Sequence, residues 1–186
     1  GLSLGESIIR DLTPGTYFAR VTGLQNNIQL YGLDISAVTV PNDLTWTAAV
    51  NGNWDVGATF NWTDGGPATF ASGDNVTFDD TASTFTVNLT EDVDPAQITV
   101  DTAGTYVFTG AGSIVDGMLT KLGSGTLELA TDANSYDGPT EVQAGTLLIT
   151  GAAGAMVSDI TVRDGATVVM NSTNATQMSS DFTIAP

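Results

Sequence analysis

The sequence predicts an all-β protein whose main body is a short parallel β-solenoid. Three observations predict it: apolar residues alternating with period two, turn residues between the alternating runs, and an internal repeat of roughly 20 residues. The run 84–90 alternates strictly and sets Phe85, Val87 and Leu89 on one face. Further strands are expected at 16–22, 29–36, 75–78, 97–101 and 105–109. Pro14-Gly15, Asn26-Asn27, Gly65-Gly66-Pro67, Ser72-Gly73-Asp74 and Asp137-Gly138-Pro139 supply turns between them. No run places apolar residues at helical spacing, and a chain with 29 Thr, 21 Gly and a single Lys is a poor helix former.

The repeat is a Gly-Thr-apolar unit at Gly104, Gly125 and Gly145, weakened at Gly165, with spacings of 21, 20 and 20 residues. Its strands direct Tyr106, Phe108, Leu127, Leu129, Leu147, Ile149 and Val169 inward. A shorter strand before each glycine gives a second apolar column of Val100, Leu122, Val142 and Val162. One such unit cannot bury its own apolar face, whereas stacked units can, which is the logic of a solenoid. A β-sandwich with evenly spaced hairpins is the alternative. The expected division is a β-rich N-terminal segment at 1–40, a partial sandwich or cap, and a solenoid at 41–186 that is clearest at 96–170.

Composition narrows the chemistry. The formal net charge is -17, from 21 acidic residues against four Lys and Arg, with neither His nor Cys. That excludes Cys/His zinc sites, thiolate nucleophiles, disulfides and a Ser-His-Asp triad. It also disfavours nucleic acid and anionic lipid as partners. No apolar run is long enough to insert in a membrane as a helix. Beginning at Gly1 without an initiator Met or leader, the chain reads as a mature or excised segment.

Acidic clusters are the ionic constellations that remain. Asp79 and Asp80, with Glu91, Asp92 and Asp94, sit at strand ends, where turns could aim several oxygens at one Ca²⁺; solvated acidic turns with no cofactor are the expected reading. The run 132–143 superficially resembles an EF-hand loop, but its glycine falls one place late and Gln143 stands where Glu is needed. Asp101 and Glu128 are the best carboxylates for a glycosidase, yet Glu128 points outward with no partner at its offset in neighbouring coils, and Lys121 and Arg163 are too isolated for lyase chemistry. No enzymatic activity is expected. Trp46, Trp54 and Trp62 recur every eight residues, as core anchors or as an aromatic row that stacks on sugar rings. Leu148 and Val168 are expected outward on adjacent coils with Met156 beside them, an apolar patch suited to a protein partner.

The segment Lys121-Leu122-Gly123-Ser124-Gly125-Thr126-Leu127-Glu128-Leu129, continued by Asn134-Ser135-Tyr136-Asp137-Gly138-Pro139-Thr140-Glu141-Val142-Gln143-Ala144-Gly145-Thr146-Leu147, resembles the autotransporter-associated β-strand repeat, or passenger-associated transport repeat. Upstream, Gly52-Asn53-Trp54, Asn61-Trp62 and Gly73-Asp74-Asn75-Val76-Thr77-Phe78 resemble what precedes such repeats in large bacterial surface proteins. The resemblance implies a secreted or cell-surface right-handed β-helix that acts as a stalk, adhesin or passenger scaffold. The stretches 12–21 and 29–35 are similar to the last strands of pre-peptidase C-terminal domains, with a simple capping hairpin as the alternative. Together these readings lead to a structural segment that pairs with itself or with other surface proteins and assembles head to tail into a fibre. A carbohydrate-binding adhesin module, with or without calcium, is the alternative.

Overall fold

The alternation of apolar and polar residues becomes the pleat of fifteen short strands, without a helix, among the described residues of this computed structural model: 40–151, 159–171 and 182–185. The chain divides into two compact units, Gly1–Val38 and Thr39–Pro186, and every described residue lies in the second. The strands expected at 16–22 and 29–36, the pre-peptidase likeness and Met156 lie outside the described residues.

The strands are β1 (Asp43–Trp46), β2 (Asn53–Trp54), β3 (Trp62–Thr63), β4 (Pro67–Ala68), β5 (Asn75–Phe78), β6 (Thr86–Leu89), β7 (Gln97–Asp101), β8 (Thr105–Gly110), β9 (Met118–Leu122), β10 (Thr126–Leu129), β11 (Thr140–Val142), β12 (Thr146–Ile149), β13 (Ile160–Arg163), β14 (Thr167–Met170) and β15 (Phe182–Ala185). They form two sheets. The first runs β15-β13-β11-β9-β7-β5-β1-β3-β4 and the second β14-β12-β10-β8-β6-β2. Odd strands from β5 onward enter the first sheet and even strands from β6 the second, with parallel pairing between successive coils. That alternation is a β-solenoid. The antiparallel exceptions are β1 with β3 and β3 with β4, a hairpin laid against the N-terminal coil. On the return path Val93 bridges Ile114, and Ser135 N donates to Ile114 O.

The inner columns follow from register. In the second sheet Tyr106, Leu127 and Leu147 stack, as do Phe108, Leu129 and Ile149, and all six are buried. Two columns differ from the sequence expectation. Val100 and Val142 both pair with Lys121, not Leu122, so the lysine occupies the buried inner position and Leu122 turns outward, half-buried. In the last coil Leu147 pairs with Val168 and Leu148 with Val169. Val168 therefore packs on the core while Val169 is 40% exposed, the reverse of the expected arrangement. The cause is one extra turn residue: Gly165, at φ +79°, sits in a tight turn closed by Ala166 N donating to Arg163 O.

The corner glycines are needed for contact. A Cβ on Gly125 would collide with the Gly104 carbonyl, and one on Gly145 with the Gly125 carbonyl, so these coils can stack at van der Waals distance only without side chains.

Candidate functional site

Three places were marked by the sequence for chemistry: the tryptophans, the acidic turns and the outer apolar strip. The structure resolves the first into core. Trp46, Trp54 and Trp62 are at most 1% exposed. Trp46 and Trp62 meet edge to face at 4.9 Å, and Trp54 contacts Phe70, Phe78 and Phe108 at 5.4, 5.4 and 5.9 Å. No ring face is open to a sugar, so the stacking role is corrected to core anchoring. Trp46 Nε1 donates to Thr84 O at 3.1 Å, whereas Trp54 Nε1 has no partner among the described residues. Asn61 holds this end together. Its Oδ1 accepts from Val50 N and Asn51 N, and its Nδ2 donates to Asn51 Oδ1 and Asn53 O.

The acidic turns are engaged locally. Asp79 Oδ1 accepts from Thr81 N and its hydroxyl, Glu91 Oε1 from Val56 N, and Asp92 Oδ1 from Ser113 N. Asp94 uses its backbone carbonyl to accept from Gly73 N. Asp80 accepts from the Thr102 hydroxyl and Ala103 N, and these bonds hold its carboxyl below the usual carboxylate range. Among the described residues no three of His, Cys, Asp or Glu converge on one point. The EF-hand-like loop has a different job: buried Asn134 offers Oδ1 to Ile114 N at 2.9 Å, and buried Tyr136 shares a 3.0 Å hydrogen bond with Thr140.

Lys121 stands at the inner position expected for Leu122. Its ammonium sits at the corner between the two sheets and donates to the carbonyls of Leu122, Gly123 and Ala144. Desolvation pushes its pKa down, partly offset by the fields of Asp101 and Asp80. The lysine ties one coil to the next, because Ala144 belongs to the following corner. The remaining glycosidase candidates stay apart: Glu128 accepts from the Thr150 hydroxyl at 2.7 Å, and Asp101 lies in the other sheet.

The outer faces of the two sheets differ in chemistry. On the first sheet Thr45, Thr77, Thr99 and Thr120 form a ladder continued by Glu141, Thr161 and Thr183. Asp43, Asp101 and Arg163 add charge to the same face. On the second sheet Thr105, Thr126, Thr146 and Thr167 form one ladder, beside a second of Val107, Glu128, Leu148 and Val169. Glu128 is the one ionisable residue among the outward strand positions of that sheet from β6 to β14. Leu148 is half-buried in this ladder, with Val169, not Val168, as its outward neighbour.

Residues 119–149 match the Passenger-associated-transport-repeat family. Over 77 residues, 37% of this chain, the sequence is 42% identical to the adhesin BmaC autotransporter of Brucella suis biovar 1 (strain 1330), and the match spans 2% of that protein's length. No solved structure matches the chain. Residues 119–149 thus form a passenger-associated transport repeat, and strands β9 to β12 are its body.

Proposed function

We propose that this chain is a non-enzymatic structural segment of an extracellular or cell-surface protein, a solenoid spacer that displays or joins other parts of the assembly. The observation that carries the reading is the uninterrupted pair of parallel ladders, which propagates a backbone hydrogen-bonding template along the stack. At the C-terminal end of the described ladders, β14 and β15 each have one strand neighbour. Further coils or a second copy would extend them by strand addition, giving head-to-tail growth into a fibre or stalk. At the other end the first sheet finishes on β4, where Pro67 has no N–H to offer, and β2 is the edge of the second sheet.

The likeness to an adhesin favours a second reading, an adhesive passenger module on a surface. In that case recognition uses the outer faces, since the tryptophans are enclosed. Electron micrographs of purified protein decide between the readings. Filaments that lengthen with concentration support head-to-tail assembly; single particles at every concentration, together with retained binding to a cell or glycan surface, favour the adhesin.

A further inference from the structure

We propose that the outer face of the second sheet is a lateral docking surface for a second copy of this chain, separate from the ends of the stack. Two copies that each carry a net charge of -17 repel one another. They can come together at least electrostatic cost through the face with the fewest ionised groups. That face is the second sheet, whose outward strand positions hold Thr, Asn, Val and Leu with Glu128 as the lone carboxylate, itself engaged by the Thr150 hydroxyl. The first sheet carries Asp43, Asp101, Glu141 and Arg163 on its outward positions and is the poorer choice.

The ladder order makes this face self-complementary. A two-fold axis through it between Glu128 and Leu148 lays Val107 of each copy on Val169 of the other, and Glu128 against Leu148, so the two carboxylates do not oppose each other. Five strands spaced about 4.8 Å apart, each showing two or three outward residues, give a patch on the order of 400 Å² per copy. A standard interface buries roughly 800 Å² per partner, so this contact is weak and reversible in solution and gains strength where many copies are displayed side by side. The display setting rests on the proposed surface role; the contact itself does not.

Sedimentation velocity over a concentration series at high salt tests it, with electron microscopy of the same samples. The expected result is a monomer–dimer equilibrium that tightens with salt. The pair Val107→Glu with Leu148→Glu weakens it at least about tenfold. The pair Thr99→Glu with Thr120→Glu, which adds the same charge to the first sheet, changes it much less. Leu148→Thr with Val169→Thr removes the apolar ridge without adding charge or disturbing the strands, and also weakens the dimer. A monomer at all concentrations overturns the proposal, as does equal weakening by the two glutamate pairs. Filaments indifferent to all of these substitutions overturn it too, while leaving head-to-tail assembly standing.

Discussion

The two ends of the solenoid solve the problem of an exposed core differently. At the N-terminal end three tryptophans and Phe70, Phe78, Tyr106 and Phe108 form one network of ring contacts, with Asn61 knotting the loops around it and the β3–β4 hairpin laid over the first coil. From β12 to β14 the inner strand positions carry no ring, and burial thins out. Ile160 and Val162 are buried and Val168 half-buried, but Met170 is 44% and Ile184 76% exposed. A stack draws its stability from each coil's own interior and from its neighbours. Among the described residues the aromatic end is therefore the more heavily packed of the two.

That contrast can be broken from the inside. Trp54→Ala removes the ring at the centre of the aromatic network and should cost about 4 kcal/mol, measured by denaturant unfolding. Val162→Ala in the thin end should cost about 1–2 kcal/mol. Comparable losses at the two sites would erase the distinction.

Lys121→Met lies between these extremes. It keeps the buried volume but leaves the corner carbonyls of Leu122, Gly123 and Ala144 without their shared donor, for a loss of about 2 kcal/mol. Its pH signature is distinctive. Because burial lowers the native pKa below the ordinary 10.5, the unfolded chain binds this proton more tightly, so between those two values Lys121 makes stability rise with pH. Tyr106 acts the opposite way. Burial raises its phenol above the ordinary 10.0, so above that pH the unfolded chain ionises first and stability falls. Thermal melts across the alkaline range should fall more steeply for Lys121→Met than for the unaltered protein.

A finer comparison lies within the aromatic end. Trp46→Phe forfeits the Nε1 bond to Thr84 O and should cost about 1 kcal/mol more than Trp54→Phe, whose Nε1 has no described partner. Equal costs would mean that the Trp46 bond contributes nothing. The smallest effect is at exposed Asp80. Its lowered native pKa gives stability that is present above 3.8 and lost as pH falls through the native value. Asp80→Asn should flatten the acid side of the melting profile.

Much of this architecture was legible because a solenoid writes its geometry into sequence spacing. The Gly-Thr-apolar units at 104, 125 and 145 gave the second-sheet register, and the alternation in 84–90 gave the inner face of β6. Lys121 escaped because the inner column was drawn through its apolar neighbour Leu122, although Val100, Lys121 and Val142 are evenly spaced by 21 residues and a column through Leu122 is not. Val168 and Val169 were exchanged because glycines were aligned with glycines, while the turn before β14 is one residue longer. The Asn61 hub left no local signal: its partners are ten and eleven residues away on a loop that folds back. The outer faces needed both sheets in register before their unequal charge could be seen.

Hydrogen exchange read by mass spectrometry tests the graded stack most directly. The account predicts that amides of β5 to β8, over the aromatic interior, exchange slowest and with the highest opening free energy. Protection should decline through β11 and β12 to β13 and β14. Uniform protection along both ladders, or slower exchange in β13 and β14 than in β5 to β8, would contradict it.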